Sequence, residues 1–404
     1  MKQITGRYAT AMVYTDIIEE TATEQIRQLC DQSFVEGCRI RIMPDVHAGT
    51  GCVIGFTADL GQRIIPNIVG VDIGCGMLTV ELGKDPIDYA ALDRVVREFV
   101  PAGSEVHEIP AAEFPQLKEL LIYNKLRNLP WIENSLGTLG GGNHFIEVDV
   151  DDEGNHYLVI HTGSRNLGKQ VADYYQKLAY DILYGKINEE EQRRALIAEY
   201  KASGRASELQ QALLNFQMDI VNQIPFNLCY LTGEARDAYL HDMKICQEYA
   251  ALNRQIIADR ILTNLLGRGI DTFHSFQTIH NYIDHESNII RKGAVSAKLG
   301  EQLLIPINMR DGSLLCIGKG NPEWNCSAPH GAGRLFSRGA AKQNFTVEAY
   351  AKEMNGIYTT SVSEETLDEC PMAYKPMESI VANVQPTVEI VKVIRPVYNF
   401  KAGK

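Results

Sequence analysis

Val69-Gly70-Val71-Asp72-Ile73-Gly74-Cys75-Gly76-Met77 runs directly into Leu78-Thr79-Val80-Glu81-Leu82. The second half, Met77–Leu82, is a short apolar and β-branched run that reads as a strand. The first half is a tight loop in which Gly74 lets Asp72 and Cys75 turn toward one point. The same alternation of short strand and Gly, Pro or Asp loop fills the N-terminal part of the chain. Arg39–Met43 and Val53–Phe56 precede the quoted stretch as strands, Ile64–Val71 runs into its first residues as another, and Leu158–His161 follows it. Helices are expected at Thr21–Ser33 and Ile87–Phe99. Asn166–Leu265 reads differently, with Ala, Leu, Gln and Glu at helical period and a solvated charge run at Glu189–Arg194. Strand returns at Leu304–Ile317, a short helix follows at Val347–Met354, and Thr387–Tyr398 gives one or two final strands. There is no repeat, low-complexity segment or Pro/Ser-rich linker. The expected fold class is therefore α+β. One compact domain would span residues 1–404, with central β-sheets, surrounding helices and a helical stretch at about 166–265 inserted within it.

Composition narrows the function classes. Apolar content of 45% and charged content of 22% are ordinary for a soluble globular chain. No apolar run approaches the roughly 18 residues of a membrane span, and Met1–Tyr14 has no signal-peptide core. The nine cysteines are scattered and odd in number, which fits a reducing cytoplasm better than a disulfide framework. A net charge of −12 argues against nonspecific nucleic-acid binding. Locally the balance reverses. Ser287–Lys342 holds eight basic residues (Arg291, Lys292, Lys298, Arg310, Lys319, Arg334, Arg338, Lys342) against three acids. The tail adds Lys392, Arg395, Lys401 and Lys404 with no acid. Such segments either attract an anionic ligand or form a solvated basic face.

Several side chains can carry chemistry. His330 sits in Ser327-Ala-Pro-His-Gly-Ala-Gly-Arg334, where small residues leave the imidazole open to a phosphate or nucleotide. Arg334 and Arg338 follow, and guanidinium forks suit phosphate oxygens. Asp72 and Cys75, with imidazoles available at His144, His161, His280 and His285, offer the thiolate, carboxylate and imidazole mixture that suits Zn²⁺, Mn²⁺, Fe²⁺ or Co²⁺. His285 lies five residues beyond His280. A thiolate can bridge two metals, and a pair about 4 Å apart suits phosphoryl chemistry. Equally, a lone Cys is commonly a small buried hydrophobe and a lone His a hydrogen-bonded core residue. None of these pairs has zinc-finger spacing. Asp45 and His47, in Met43-Pro-Asp-Val-His-Ala-Gly49, read either as turn residues or as partners that orient metal ligands.

Six ordered motifs together are more specific. Met-Pro-Asp-Val-His (43–47), Val-Gly-Val-Asp-Ile-Gly-Cys-Gly-Met (69–77) and Gly-Gly-Gly-Asn-His-Phe-Ile-Glu (140–147) come first. His-Thr-Gly-Ser-Arg-Asn-Leu-Gly (161–168), His-Asn (280–281) and Pro-His-Gly-Ala-Gly-Arg (329–334) follow. In this order they resemble the RtcB family of RNA ligases, from about residue 39 to the C-terminus. The resemblance implies joining of RNA 2′,3′-cyclic phosphate or 3′-phosphate ends to 5′-hydroxyl ends, with GTP and two Mn²⁺ ions. By motif, Cys75 would bridge the ions, with Asp72 and His144 on one and His161 and His280 on the other. His330 would take GMP covalently. Asn143 and the backbone of Gly331, Ala332 and Gly333 would contact the nucleotide. Glu147, Ser313, Tyr374 and Lys401 match guanine-holding positions, Asn308 stands in the guanine loop as a further nucleotide-binding candidate, and Arg165 matches a phosphate-binding arginine.

The resemblance also carries a reaction order: a cyclic phosphate is opened to a 3′-phosphate, which is guanylylated and then attacked by the 5′-hydroxyl. It further implies a cytoplasmic enzyme acting as a monomer, with an activating protein as a further partner in some settings and no membrane association. The chain departs from many relatives at Asn308-Met309-Arg310, where they carry Ser-Met-Gly, at Pro329, where they carry Cys, and in its tail beyond Lys401. These departures favour RNA repair over tRNA splicing. Two other functions compete: a metal-dependent phosphoesterase acting on RNA 3′ ends, and a catalytically silent RNA-end-binding relative.

Overall fold

A computed structural model of the chain describes residues 1–184, 189–205, 208–221 and 224–403. Parts of the expected helical stretch, at 185–188, 206–207 and 222–223, lie outside the described residues, as does Lys404 of the basic tail. The N-terminal part runs β1 (Lys2–Thr5), β2 (Thr10–Val13), α1 (Glu20–Cys30), β3 (Ile40–His47), β4 (Ile54–Ala58), α2 (Pro66–Val69), β5 (Gly76–Gly83), α3 (Tyr89–Phe99), α4 (Leu129–Asn134), β6 (Phe145–Val150) and β7 (His156–Thr162). Helices α5 (Arg165–Leu183), α6 (Glu189–Ala202), α7 (Leu209–Val221) and α8 (Gly233–Leu266) then leave the sheets. The chain returns as β8 (Ser275–Ile279), β9 (Asn281–Ile283), β10 (Ile290–Lys292), β11 (Ala294–Ser296), β12 (Gln302–Asn308), β13 (Gly312–Gly318) and β14 (Ser327–Pro329). It ends with α9 (Arg338–Asn344), α10 (Val347–Glu353), β15 (Tyr358–Thr359), α11 (Met377–Val384) and β16 (Val388–Phe400). The class is α+β, as the sequence leads one to expect.

Two large sheets organise the molecule. One has the order β1-β2-β3-β4-β10-β9, and the other β12-β13-β16-β6-β7-β5-β8, with β15 attached to β16. In the second sheet side-chain alternation separates two faces. Leu78, Val80, Ile146, Val148, Leu158 and Ile160 pack beneath α3 and α8, against Leu92, Val96, Ile257 and Ile261. Each such side chain contributes about 1.5–3 kcal/mol by leaving water. The alternate residues Met77, Phe145, Tyr157 and Val159 lie on the other face with Leu304 and Ile394. Helix α3 starts where the Asp88 side chain accepts hydrogen bonds from the Ala90 and Ala91 N–H groups. Among the described residues no helix is long and apolar enough to cross a membrane.

Some local expectations change. Ile64–Val71 is not a strand. Pro66 occupies the first turn of α2, where its fixed φ and missing N–H are tolerated, and the segment coils. Leu304–Ile317 is a hairpin, β12 and β13, rather than one strand. Of Thr387–Tyr398, all but Thr387 lies in one strand, β16. Its first half pairs with β13 and its second with β6, and a register shift accommodates Pro396, which has no N–H for the ladder. The charge run Glu189–Arg194 opens α6, with Arg193 and Arg194 exposed. The side chains of residues 189–192 lie outside the described set.

Candidate active site

Antiparallel order places the candidate donors at one end of the second sheet. Cys75 immediately precedes β5 and His144 immediately precedes β6, while His161 is the last residue but one of β7 and His280 follows β8. Strands β6, β7, β5 and β8 are neighbours, so the starts of two and the ends of two coincide. Gly74 (φ +71°) makes the turn before Cys75, and its N–H donates to the Asn281 carbonyl. The His280 N–H donates to the Cys75 carbonyl at 2.9 Å, so the two loops are stitched together.

The side chains converge in two overlapping groups: Asp72, Cys75 and His144, and Cys75, His161 and His280. Cys75 Sγ lies 3.5 Å from His144 Nε2 and 3.3 Å from His161 Nε2. His144 Nε2 is 3.0 Å from Asp72 Oδ2, and the Nε2 atoms of His161 and His280 are 3.1 Å apart. His144 Nδ1 donates to the Leu139 carbonyl at 2.9 Å, and His161 Nδ1 to the Asn143 carbonyl at 3.2 Å. His161 therefore turns a bare Nε2 lone pair toward the thiol, as ligating histidines do, while His144 presents Nε2 to both the thiol and the Asp72 carboxylate. Burial pushes His161 and His280 well below the usual imidazole range, so both are neutral donors. Burial and the Asp72 carboxylate push the Cys75 thiol well up. Burial also acts to raise Asp72, but its contacts with His144 and Cys75 and the Arg165 charge win, holding it at about 2. A carboxylate, three imidazoles and a thiol whose proton a cation can replace suit a divalent transition metal, and Cys75 belongs to both groups that could hold one. His285 is exposed and belongs to neither group.

Helix α8 supports this end from below, through residues the sequence did not single out. Arg254, fully buried, donates to the Gly74 carbonyl (2.9 Å) and the Thr162 carbonyl (2.8 Å). Its neighbour Asn253 accepts from Gly137 N and Thr138 N and donates to the Gly163 carbonyl.

A cavity of about 260 Å³ opens beside the donors. His161, His280, His330, Asn143, Glu147 and Asn308 line it, with Gly331, Ala332, Gly333, Tyr374 and Lys401. His330 and His280 rings stand 4.7 Å apart. His330 Nδ1 donates to Asp45 Oδ2 at 2.6 Å, which leaves Nε2 with its lone pair. Asp45 is thus brought to His330, not to a metal ligand. Pro44 interrupts the β3–β4 ladder between Ile42 and His47, and at that irregularity the Asp45 carboxylate is fully buried. His47 is on the cavity wall, where burial lowers it to about 4.

The other end of the cavity is organised by Glu369, which nothing in the sequence singled out. Its carboxylate accepts from Tyr374 Oη at 2.5 Å and pairs with Lys401 (3.3 Å), Arg334 (3.2 Å) and Arg338 (3.1 Å). Arg334 and Arg338 therefore pair with acids in the protein while still lining the cavity, and Arg338 remains partly exposed. Lys401 also donates to the Asn143 carbonyl at 3.3 Å, the same oxygen that holds His161. One backbone oxygen thus joins the two ends. Glu147 is buried, accepts from Asn399 Nδ2 at 2.5 Å, and is pushed up to about 7 by burial. Ser313 is not on the wall. It is fully buried opposite Pro306 in the hairpin, and its Oγ has no hydrogen-bond partner among the described residues. Arg165 is also off the wall. It adopts φ +55° and donates to Thr138 Oγ1 at 3.3 Å, behind Asp72.

The sequence comparisons agree with this geometry. The profile of the family described as tRNA-splicing ligase RtcB matches residues 25–128 and 127–402. The RNA-splicing ligase RtcB of Escherichia coli (strain K12) is 30% identical, with 94% of each chain covered. The RNA-splicing ligase RtcB2 of Escherichia coli strain ATCC 25922 is 26% identical, over 95% of this chain and 93% of that one. The tRNA-splicing ligase RtcB of Nanoarchaeum equitans is 27% identical, over 84% and 83%. A donor cluster, an adjoining cavity and a match across nearly the whole chain lead to one assignment: the protein belongs to the RtcB family of RNA-splicing ligases.

Proposed function

We propose that the chain is a GTP- and Mn²⁺-dependent RNA ligase that joins 2′,3′-cyclic phosphate or 3′-phosphate ends to 5′-hydroxyl ends through a histidine–guanylate, in RNA repair or tRNA splicing. The observation that carries this is the Asp45–His330 pair beside the donor cluster: Nδ1 is held at 2.6 Å, and the ring with the free Nε2 lies 4.7 Å from that of His280. Asp72, Cys75, His144, His161 and His280 would hold the ions, which when bound supply Lewis-acid stabilisation of phosphoryl oxygens.

His330 Nε2 attacks the α-phosphorus of GTP. The N–P bond forms, the bridging P–O bond breaks, and pyrophosphate leaves. The Nδ1 proton stays on the ring, and the Asp45 carboxylate balances the positive charge the imidazole acquires. The RNA 3′-phosphate then displaces His330, forming a P–O–P linkage and restoring the neutral ring. The 5′-hydroxyl attacks the 3′-phosphorus, loses its proton, and GMP departs. Glu147, Asn308, Tyr374 and Lys401 would hold guanine, with Ser313 behind them. Asn143, Gly331, Ala332 and Gly333 would bound the phosphate and ribose, and Arg165 would bind an RNA phosphate. The chain would act as one domain, residues 1–404, with the helical stretch 166–265 set between β7 and β8. A cytoplasmic monomer that works alone or with an activating protein completes the proposal, and nine unpaired cysteines suit that compartment.

The test is labelling with α-³²P GTP and Mn²⁺, comparing wild type with His330→Ala, followed by sealing of cyclic-phosphate RNA. Acid-labile, base-stable label on wild type alone, together with sealing, is expected. Cyclic-phosphate opening without label would instead make the chain a phosphoesterase. Binding of RNA ends with neither reaction would make it a silent relative.

A further inference from the structure

Lys375 is only 2% exposed, although it follows Tyr374 of the cavity wall. Its ammonium donates to three backbone carbonyls: Ile17 (3.2 Å), Pro44 (3.0 Å) and Val46 (2.9 Å). Pro44 and Val46 are the two residues that flank Asp45. The main chain of Lys375 makes a fourth link, its N–H donating to the Gly333 carbonyl at 3.0 Å, three residues beyond His330. Arg334 and Tyr374, the next residues along the two segments, form an isolated antiparallel bridge. One residue therefore grips both partners of the Asp45–His330 pair, one through its side chain and the other through its backbone.

The contact between these segments leaves little slack. Gly333 has φ +75°, and a Cβ there would lie 2.1 Å from the Asp45 carbonyl oxygen. An ammonium has three donors, and all three are engaged, so Lys375 has none left for a substrate. Burial pulls its affinity for a proton down, while the Asp45 and Glu19 charges push it back up. A buried cation surrounded by carbonyls is costly unless every donor is satisfied, and here each one is.

We propose that Lys375 is a positioning residue for histidine guanylylation, fixing the Asp45 carboxylate against Nδ1 of His330 without touching substrate. The inference rests on His330 being the nucleophile. A misplacement of about 1 Å in such a pair can cost on the order of a hundredfold in rate.

The experiment uses the full chain with Mn²⁺, as Lys375→Met and Lys375→Arg. Three quantities are read: guanylylation rate at saturating GTP, KM for GTP, and sealing of RNA already carrying a 3′-guanylyl cap. For both variants guanylylation at saturating GTP should fall, roughly a hundredfold for Met and roughly tenfold for Arg. KM for GTP and sealing of capped RNA should stay within about twofold. A loss acting through neighbouring Tyr374 would raise KM instead, and a merely structural loss would lower both reactions together; either overturns the proposal. So does wild-type guanylylation in either variant. Should Lys375→Met not fold, the Arg variant, which keeps the cation but not its compact geometry, decides by the same criteria. Absence of label on wild type would count against His330 as the nucleophile, whereas labelled wild type with unaffected variants would count against Lys375 alone.

Discussion

Oδ2 of Asp45 accepts from both the ring and the backbone of His330, at 2.6 Å from Nδ1 and 3.0 Å from the amide nitrogen. One oxygen thereby fixes the tautomer and the rotation of the imidazole together. Asp45→Asn puts an amide where the carboxylate balances the charge that develops on the ring. Guanylylation should fall roughly a hundredfold or more, with KM for GTP nearly unchanged. Single-turnover labelling across GTP concentrations measures both. A variant that labels at the wild-type rate would show the pair to be a packing contact.

Glu369 connects stability to nucleotide binding. Burial works to raise its carboxyl, but Lys401, Arg338 and Arg334 override it and hold the group at about 2, below the usual 4.5. A carboxyl lowered by folding stabilises fully above its unfolded value, and that stabilisation fades as pH falls from about 4.5 toward 2. Glu369→Gln should lower stability at neutral pH by on the order of 3 kcal/mol, because three cations lose their shared counter-charge. The gap between wild type and variant should narrow below about pH 4.5 in urea titrations. Freed Tyr374 and Lys401 should also raise KM for GTP about tenfold. A gap that stays constant with pH would rule the ion pairs out as its source.

These two carboxylates also mark where sequence reading stops. The Asp72–Cys75 loop was legible because ligand-type residues three apart around Gly74 have few ways to point. The imidazole donors were legible through their Gly- and Asn-rich motifs, and the helical stretch before residue 265 through its period. Asp45 drew notice, but its partner lies 285 positions away, and no local pattern says which of two nearby sites a carboxylate will serve. Glu369 gave no signal, because an acidic pair in a turn reads as ordinary solvated surface until four donors are seen around it. Ile64–Val71 misled for a different reason. Its β-branched residues outvoted Pro66, whose fixed φ starts a helical turn. Arg254 and Asn253 were hidden in a helix where polar residues usually face water.

Cys75 belongs to both donor groups, so its loss should not be confined to one ion. Cys75→Ala is expected to lower bound Mn²⁺ from two equivalents to fewer than one after dialysis, and to abolish guanylylation. Elemental analysis alongside labelling checks this. Two retained equivalents would mean that the thiol is a buried bystander between imidazoles.

Gly163 allows a contrasting variant that should disturb one donor group only. It follows His161 and Thr162, and a Cβ at this position would stand 2.1 Å from Asp72 Oδ1, a contact no side chain tolerates. The carboxylate is held there by the Ser164 N–H at 3.1 Å and by His144 at 3.0 Å, so it can swing away only by giving up both. The backbone of Gly163 is not in the left-handed region, so Gly163→Ala adds a methyl without torsional strain. Displacing Asp72 should weaken the ion shared by Asp72, Cys75 and His144, while His161 and His280 keep theirs. Mn²⁺ titration should then change from two comparable sites to one retained site and one weakened at least tenfold. Equal weakening of both would mean that the methyl deforms the Cys75 loop as a whole, and unchanged binding would remove Asp72 from the ligand set.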